Sequence, residues 1–233
     1  ELNAMESLVG LRQQYNADYV AMNMTFTKAL PEHTYYIKDE LVEDDDIMQR
    51  QFAHYQHSSI CRLHRKELFK NVTVYDQNIG IDAQLTPQLL HNAKRGYITS
   101  KSYYNTLVRQ GSISRSLYVT EKQIKDTVRV YQFIISFMEQ NISSYTDFMR
   151  SRYIDSLLAM CKSALFVSNK DAEPHMPLIL GEMEKNYVEL RKGKLYNTKR
   201  KIDRIQLWLI INFKKCFNFF VHSGILTKLG LYK

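Results

Sequence analysis

Only three of the 233 residues are cysteine, Cys61, Cys161 and Cys216, and no two stand as a Cys-x-x-Cys pair. An odd, scattered set argues against a disulfide framework and points to reduced thiols in a cytosolic compartment. No apolar run reaches the roughly 18 residues that a bilayer-spanning helix needs, and the first residues carry no n-region and h-region of a secretory signal. Glycine is scarce, at eight residues, and none of it forms a phosphate-cradling loop. A nucleophile elbow and a Cys/His hydrolase pattern are lacking too. Repeats and low-complexity tracts are absent, which removes solenoids and disordered linkers.

What remains is an ordinary folded composition, 45% hydrophobic and 12% aromatic, in a chain long enough for a sizeable core. The net charge of +8 is unevenly placed. Residues 191–233 hold eleven Lys and Arg against one Asp, so the basicity belongs to the tail and the rest is slightly acidic.

Apolar spacing predicts a helix over residues 3–15, with Asn3 as a candidate cap, and then a buried strand from Tyr19 to Phe26. The run Glu43-Asp44-Asp45-Asp46 could chelate a cation, but acids gather equally at helix starts, and helical character resumes from Ile47 to His57. Arg62–Lys70 reads as a basic, helix-like stretch. Asp82–Asn92 reads as a helix, and Gly96 as the turn into a short strand at Tyr97–Ile98. From Glu121 the pattern is helical, broken by Pro174 and Pro177 and resuming to Leu190. His54, His57 and His64 lie close in sequence without a zinc-binding spacing.

Three stretches follow one another in an informative order: RLHRKELF from Arg62, GIDAQLTPQLLHNAKRGYI from Gly80, and SYYNTLVRQGSISRS from Ser102. They resemble the "KLYRRELF", "GEDxxF…LLxAKKVxYI" and "PLYYYRxRxGSIxxS" elements of family-two glycosyltransferases of the GT-A fold. The opening ELNAMESLVGLRQQYNADYVAMN is similar to that family's "EPNMLEELYxxAKxYNADIVxxN", which directly follows its metal-binding DxD motif. The resemblance covers about the first half of the chain. It implies an α/β, Rossmann-like fold: residues 1–116 as the acceptor half of a GT-A domain, then a helical extension over 117–198 and a basic tail over 199–233. Because the chain starts with Glu1, just past the expected DxD, the nucleotide-binding half is expected to precede it in a longer protein.

The resemblance also assigns roles. Asp82 matches the Asp of the family's Glu-Asp pair, which takes the acceptor's proton in inverting sugar transfer; the Glu is replaced by Ile81. On its residues alone, Asp82 reads equally as a helix N-cap. Arg109 and Ser112 match the R-x-x-S loop that reaches donor phosphate, where a guanidinium fork suits phosphate oxygens. Arg62, His64 and Tyr104 fall on the acceptor side. Two aromatics and an Arg of "YYYR" are lost, with Leu107 in the last place. The family implies a nucleotide-sugar donor, UDP-linked by expectation, a saccharide or lipid-linked acceptor in bacterial cell-surface polysaccharide synthesis, and a divalent Mn or Mg ion whose ligands lie outside this chain. The alternative is a non-catalytic assembly module built on a degenerate transferase half.

In the tail, Ile202, Ile205, Leu209, Ile210, Phe213 and Phe217 gather on one helical side, with Arg204 and Lys215 opposite and Trp208 on the polar side. Lys214 and Lys215 add cations beside the apolar face. Such a helix suits peripheral attachment to the inner face of the cytoplasmic membrane, or packing on its own domain or on a second copy in a homodimer. Nucleic acid is not expected, since the cations are interleaved with a greasy face.

Overall fold

The computed structural model describes residues 3–27, 36–54, 61–75, 80–107, 119–166, 173–193, 199 and 201–212. The chain divides into two compact units, Glu1–Arg115 and Ser116–Lys233.

The first unit is a mixed α/β layer structure. In chain order it holds α1 (Ala4–Gln14), β1 (Tyr19–Thr27), β2 (Glu40–Glu43), α2 (Asp45–His54), β3 (Arg62–His64), a 3-10 turn at Lys66–Phe69, α3 (Ile81–Asn92) and β4 (Arg95–Leu107). The sheet order is β2-β4-β1-β3. The central strands β1 and β4 are parallel, and each edge strand is antiparallel to its neighbour. Asn3 occupies the N-cap position of α1, yet its side chain makes no capping bond; its carbonyl accepts from Ser7 instead.

Alternation along β1 sends Val20 and Met22 toward α1, where they form a core with Leu8, Ala17, Cys61 and Tyr97. Tyr19, Ala21 and Asn23 point to the opposite face. There Arg50 of α2 reaches Glu40 of β2 at 3.0 Å, and α3 packs against α2 and the 3-10 turn. The Tyr19 ring lies across Gly96 of β4 so closely that a Cβ there would overlap its ring carbons and hydroxyl. Gly96 is thus a strand residue required by close approach rather than a turn.

Three expectations change. Arg62–His64 is an edge strand, not a helical start: Leu63 packs into the α1 core while Arg62 and His64 face the other way, and three residues are too few for that alternation to show in the sequence. The strand expected at Tyr97–Ile98 runs thirteen residues, since its second half is held by register with β1 and not by apolar content. The acidic run is divided: Glu43 ends β2 and pairs with Arg95, Asp44 takes a left-handed φ of 45°, and Asp45 and Asp46 enter the first turn of α2, where the helix favours negative charge.

The second unit is helical: α4 (Glu121–Asn141), α5 (Thr146–Phe166), α6 (Met176–Lys192) and α7 (Lys201–Asn212). A capping box of Thr120 and Gln123 starts α4. Ile134 and Met138 of α4, Ile154 and Leu157 of α5, and Ile179 and Met183 of α6 are essentially fully buried. Tyr131 and Tyr153 stack at 4.8 Å, and the Tyr153 hydroxyl donates to Glu182 at 3.0 Å, tying three helices together. On α7 the buried side chains are Gln206, Leu207 and Ile210, whereas Ile205 and Trp208 are exposed. The packed face is therefore rotated from the apolar side expected, with Gln206 admitted to it and α7 packing on α6. No described helix is long and apolar enough to cross a membrane.

Candidate functional site at the carboxyl ends of the central strands

One end of the first unit is fastened by its turns. Asp18, just before β1, accepts from the backbone N–H groups of Lys94 and Arg95 at 2.9 and 3.0 Å, and Arg65 approaches its other oxygen at 3.5 Å. Arg65 also donates to Asn16 at 2.6 Å, and Asn16 takes the left-handed φ of 47° that asparagine tolerates. The Asn16-Ala17-Asp18 and Arg65 positions of the motifs thus serve as structural fasteners at the amino ends of β1 and β4.

From that end α3 rises along the chain before it. Asn92 donates to the carbonyls of Leu68 and Lys70. One turn higher, Gln88 both donates to and accepts from Thr73, and another turn up Gln84 accepts from the N–H of Tyr75. These amides, four residues apart on one stripe, replace a strand partner for residues 68–75. Only Ala93 and Lys94 separate α3 from β4, so the helix runs counter to the strand. Its twelve residues place its start about 15 Å or more above Asn92. The start of α3 therefore lies toward the carboxyl ends of the parallel strands, the side on which open α/β sheets bind ligands.

Asp82 is at that start. The N-cap is Gly80, with φ 76°, and Asp82 is half-buried one residue into the first turn, so capping does not account for it. Ile81, in the place of the family's Glu, is 44% exposed. Arg62 is buried opposite Ala21, on the face that α2 and α3 cover. His64 is paired with Tyr19 at the fastened end, so α3 and β3 hold Asp82 and His64 at opposite ends of the layer. Burial, with the charge of Arg62, pulls the His64 imidazole down to about 4 and keeps it neutral. Its ring lies edge-on to Phe69, and neither nitrogen has a hydrogen-bond partner among the described residues. Arg109, Ser112, Phe213, Lys214, Lys215 and Phe217 lie outside the described residues.

A feature missed in the sequence lies between β1 and β4. Three steps along β1, from Ala21 to Met24, match six along β4, from Ile98 to Tyr104, so β4 carries three extra residues in two register shifts, two residues between Ile98 and Ser102 and one, Tyr103, between Ser102 and Tyr104. Asn23, buried within the sheet, donates to the carbonyls of Ser100 and Tyr36 at 2.7 and 2.8 Å and accepts from the Tyr36 N–H. Asp39 accepts from the Ser100 N–H at 2.7 Å, the Ser100 hydroxyl at 2.6 Å, Tyr97 at 3.1 Å and Thr99 at 3.3 Å. Burial pushes the Asp39 carboxyl up, but the bonds from Ser100, Tyr97 and Thr99 outweigh it and hold the group below the usual carboxylate range. Past the bulge, Tyr104 stands opposite Met24 on the α1 side, where Tyr103 also packs. Ser102 and Asn105 stand opposite Asn23 and Thr25, on the face away from α1.

Among the described residues no three His, Cys, Asp or Glu side chains converge, so the divalent ion that the resemblance implies has no ligand set there. A cleft of about 820 Å³ in the second unit is lined by the start of α4 with Pro174 and His175. Lys122 pairs with Asp126 and Lys125 with Glu121 within that lining, a pattern of ordinary i,i+4 surface pairs.

No protein-family model matches the chain, and no curated protein matches it in sequence. Solved structures do match in fold. TarS of S. aureus, residues 1–349, in complex with UDP-GlcNAc superposes with a TM-score of 0.65 at 16% identity, over 99% of this chain and 65% of that one. The same protein with UDP gives 0.60 at 14% identity, over 96% and 62%. The chain thus has the fold of a GT-A glycosyltransferase domain with following helices, and it spans just under two thirds of the length of those neighbours.

Proposed function

We propose that this chain is the acceptor-side portion of a glycosyltransferase that uses a UDP-linked sugar and inverts its anomeric carbon. The observation that carries the reading is Asp82: a carboxylate in the first turn of α3, not used as the cap, at the end of the helix away from Asn92. Its fold neighbours, solved with UDP-GlcNAc and UDP, support a nucleotide-sugar donor.

In this reading the Asp82 carboxylate takes the proton of an acceptor hydroxyl as that oxygen bonds to the anomeric carbon. The bond from that carbon to the diphosphate oxygen breaks on the opposite side, and nucleoside diphosphate leaves. Arg109 and Ser112 are proposed for the leaving phosphate, where a guanidinium offsets developing charge. Arg62 is proposed on the acceptor side; His64, at the far end of β3, and Tyr104, on the α1 side, are not given a part. The acceptor is a saccharide or lipid-linked saccharide of a bacterial cell-surface polymer, and the transferred group a hexose or its derivative. Mn or Mg is assigned to the preceding half of the protein.

The test is Asp82→Asn in the full-length protein, assayed for transfer from UDP-sugars to saccharide acceptors. The expected result is a fall of about 10²–10⁴-fold in kcat, the usual contribution of a positioned base, with an unchanged circular dichroism spectrum. Equal turnover by the variant would remove Asp82 as base. No turnover by the wild type with any nucleotide sugar would favour the non-catalytic module, toward which the exposed Ile81 points.

A further inference from the structure

The bulge in β4 is held from two sides at one residue. The Ser100 carbonyl is taken by Asn23 of β1, and its N–H and hydroxyl by Asp39 at the entry to β2. Asn23 also takes both backbone groups of Tyr36, so β1, β4 and the chain leading into β2 meet at a single node. Asn23 is 4% exposed, Tyr36 3% and Thr99 fully buried; unmade hydrogen bonds there would be costly.

The node does more than close hydrogen bonds. Ile98 and Tyr104 are six residues apart, and regular alternation would put them on the same face. The single extra residue after Ser102, Tyr103, instead turns Tyr104 to the α1 side with Met24, while Ser102 and Asn105 stand with Asn23 and Thr25 on the other face, and the two extra residues held at Ser100 set the register. Without the three extra residues, Met24 would stand opposite Lys101, and each later side chain of β4 would shift its place. Thr25 already donates to Ser102 at 2.8 Å on that face. The carboxyl end of the sheet thus presents small polar groups on the face away from α1 and keeps the tyrosines on the α1 face.

We propose that Asp39 and Asn23 are positioning residues, which hold the β4 bulge at Ser100 and so set the register at which Ser102–Thr106 are presented along β1. The proposal rests on the glycosyltransferase reading for its chemistry and on the sheet alone for its geometry. A displacement of about 1 Å at a reacting centre can cost about 100-fold in rate. Of the donor's contacts only those of Arg109 and Ser112 at the leaving phosphate are proposed in this chain, so the UDP Kd is expected to change little.

The test uses the full-length protein with Asp39→Asn, and Ser100→Ala as a milder variant that keeps the backbone N–H. Hydrogen exchange is followed by mass spectrometry, with kcat for sugar transfer and the Kd for UDP. Faster exchange in peptides covering 99–107, unchanged exchange in α1 and α4, at least a tenfold lower kcat and a UDP Kd within twofold of wild type are expected. Wild-type kcat in a folded variant, or exchange that rises equally in α1 and α4, overturns the proposal, the latter marking a merely structural role. If the wild type transfers no sugar, the glycosyltransferase reading falls, and unchanged exchange over 99–107 in both variants is then the result that overturns the node.

Discussion

His64 shows how a residue chosen for chemistry can be kept for packing. Its ring is enclosed by Tyr19 and Phe69 and stays neutral because burial and the Arg62 charge oppose protonation. An imidazole whose folded pKa lies below its unfolded value of about 6.5 must give up a proton to fold in mildly acid solution. Its contribution is therefore full above about pH 6.5 and is lost as pH falls toward 4. Replacement by the family's Tyr, His64→Tyr, is expected to flatten the decline of Tm between about pH 6.5 and 4. An equally steep decline in the variant would show that the acid sensitivity lies elsewhere. At the same scale, the identity of Asp82 was legible and its setting was not: the sequence allowed cap or base, and only the left-handed Gly80 moved the cap two residues earlier.

At the scale of elements, helices were readable because their burial repeats over many residues. α4, α5 and α6 fall close to where apolar spacing and the two prolines put them. The short edge strands β2 and β3 were not, since four and three residues carry no period and exist only through pairing with β4 and β1. Nor was the second half of β4, whose exposed Tyr104 and Asn105 look like a loop. Gly96 belongs at this scale as well. A methyl group there meets the Tyr19 ring, which is itself buried. Gly96→Ala is expected to destabilise the first unit by about 1–3 kcal/mol, as overpacked cores do, read as a lower midpoint in urea. An unchanged midpoint would mean that the ring has room to move.

At the scale of the whole molecule, the sheet unit and the helical unit each carry their own core. Membrane attachment through the tail remains a proposal. Lys199, counted among the tail's cations, turns inward to Asp155 at 2.6 Å and to the Ser151 carbonyl, so it is spent on α5. Ile205 and Trp208 face outward on α7, while Phe213 and Phe217 lie outside the described residues. Full-length protein is expected to sediment with vesicles containing anionic lipid, and the double change Phe213→Ser, Phe217→Ser to reduce the bound fraction severalfold. Undiminished binding would sink the membrane reading and leave α7 as a packing helix with a partner still to find.

By itself the sequence determined the class of fold, the main helices, the core strand β1 and the position of Asp82 in the motif order, because these depend on local periodicity and on residue types in series. Only the tertiary structure decided that Asn23 and Asp39 meet at Ser100, that Arg65 and Asp18 fasten the opposite end, and that Lys199 points inward. Each of these joins residues at least 44 positions apart, and a hydrogen bond across such a span leaves no period in the chain to be read.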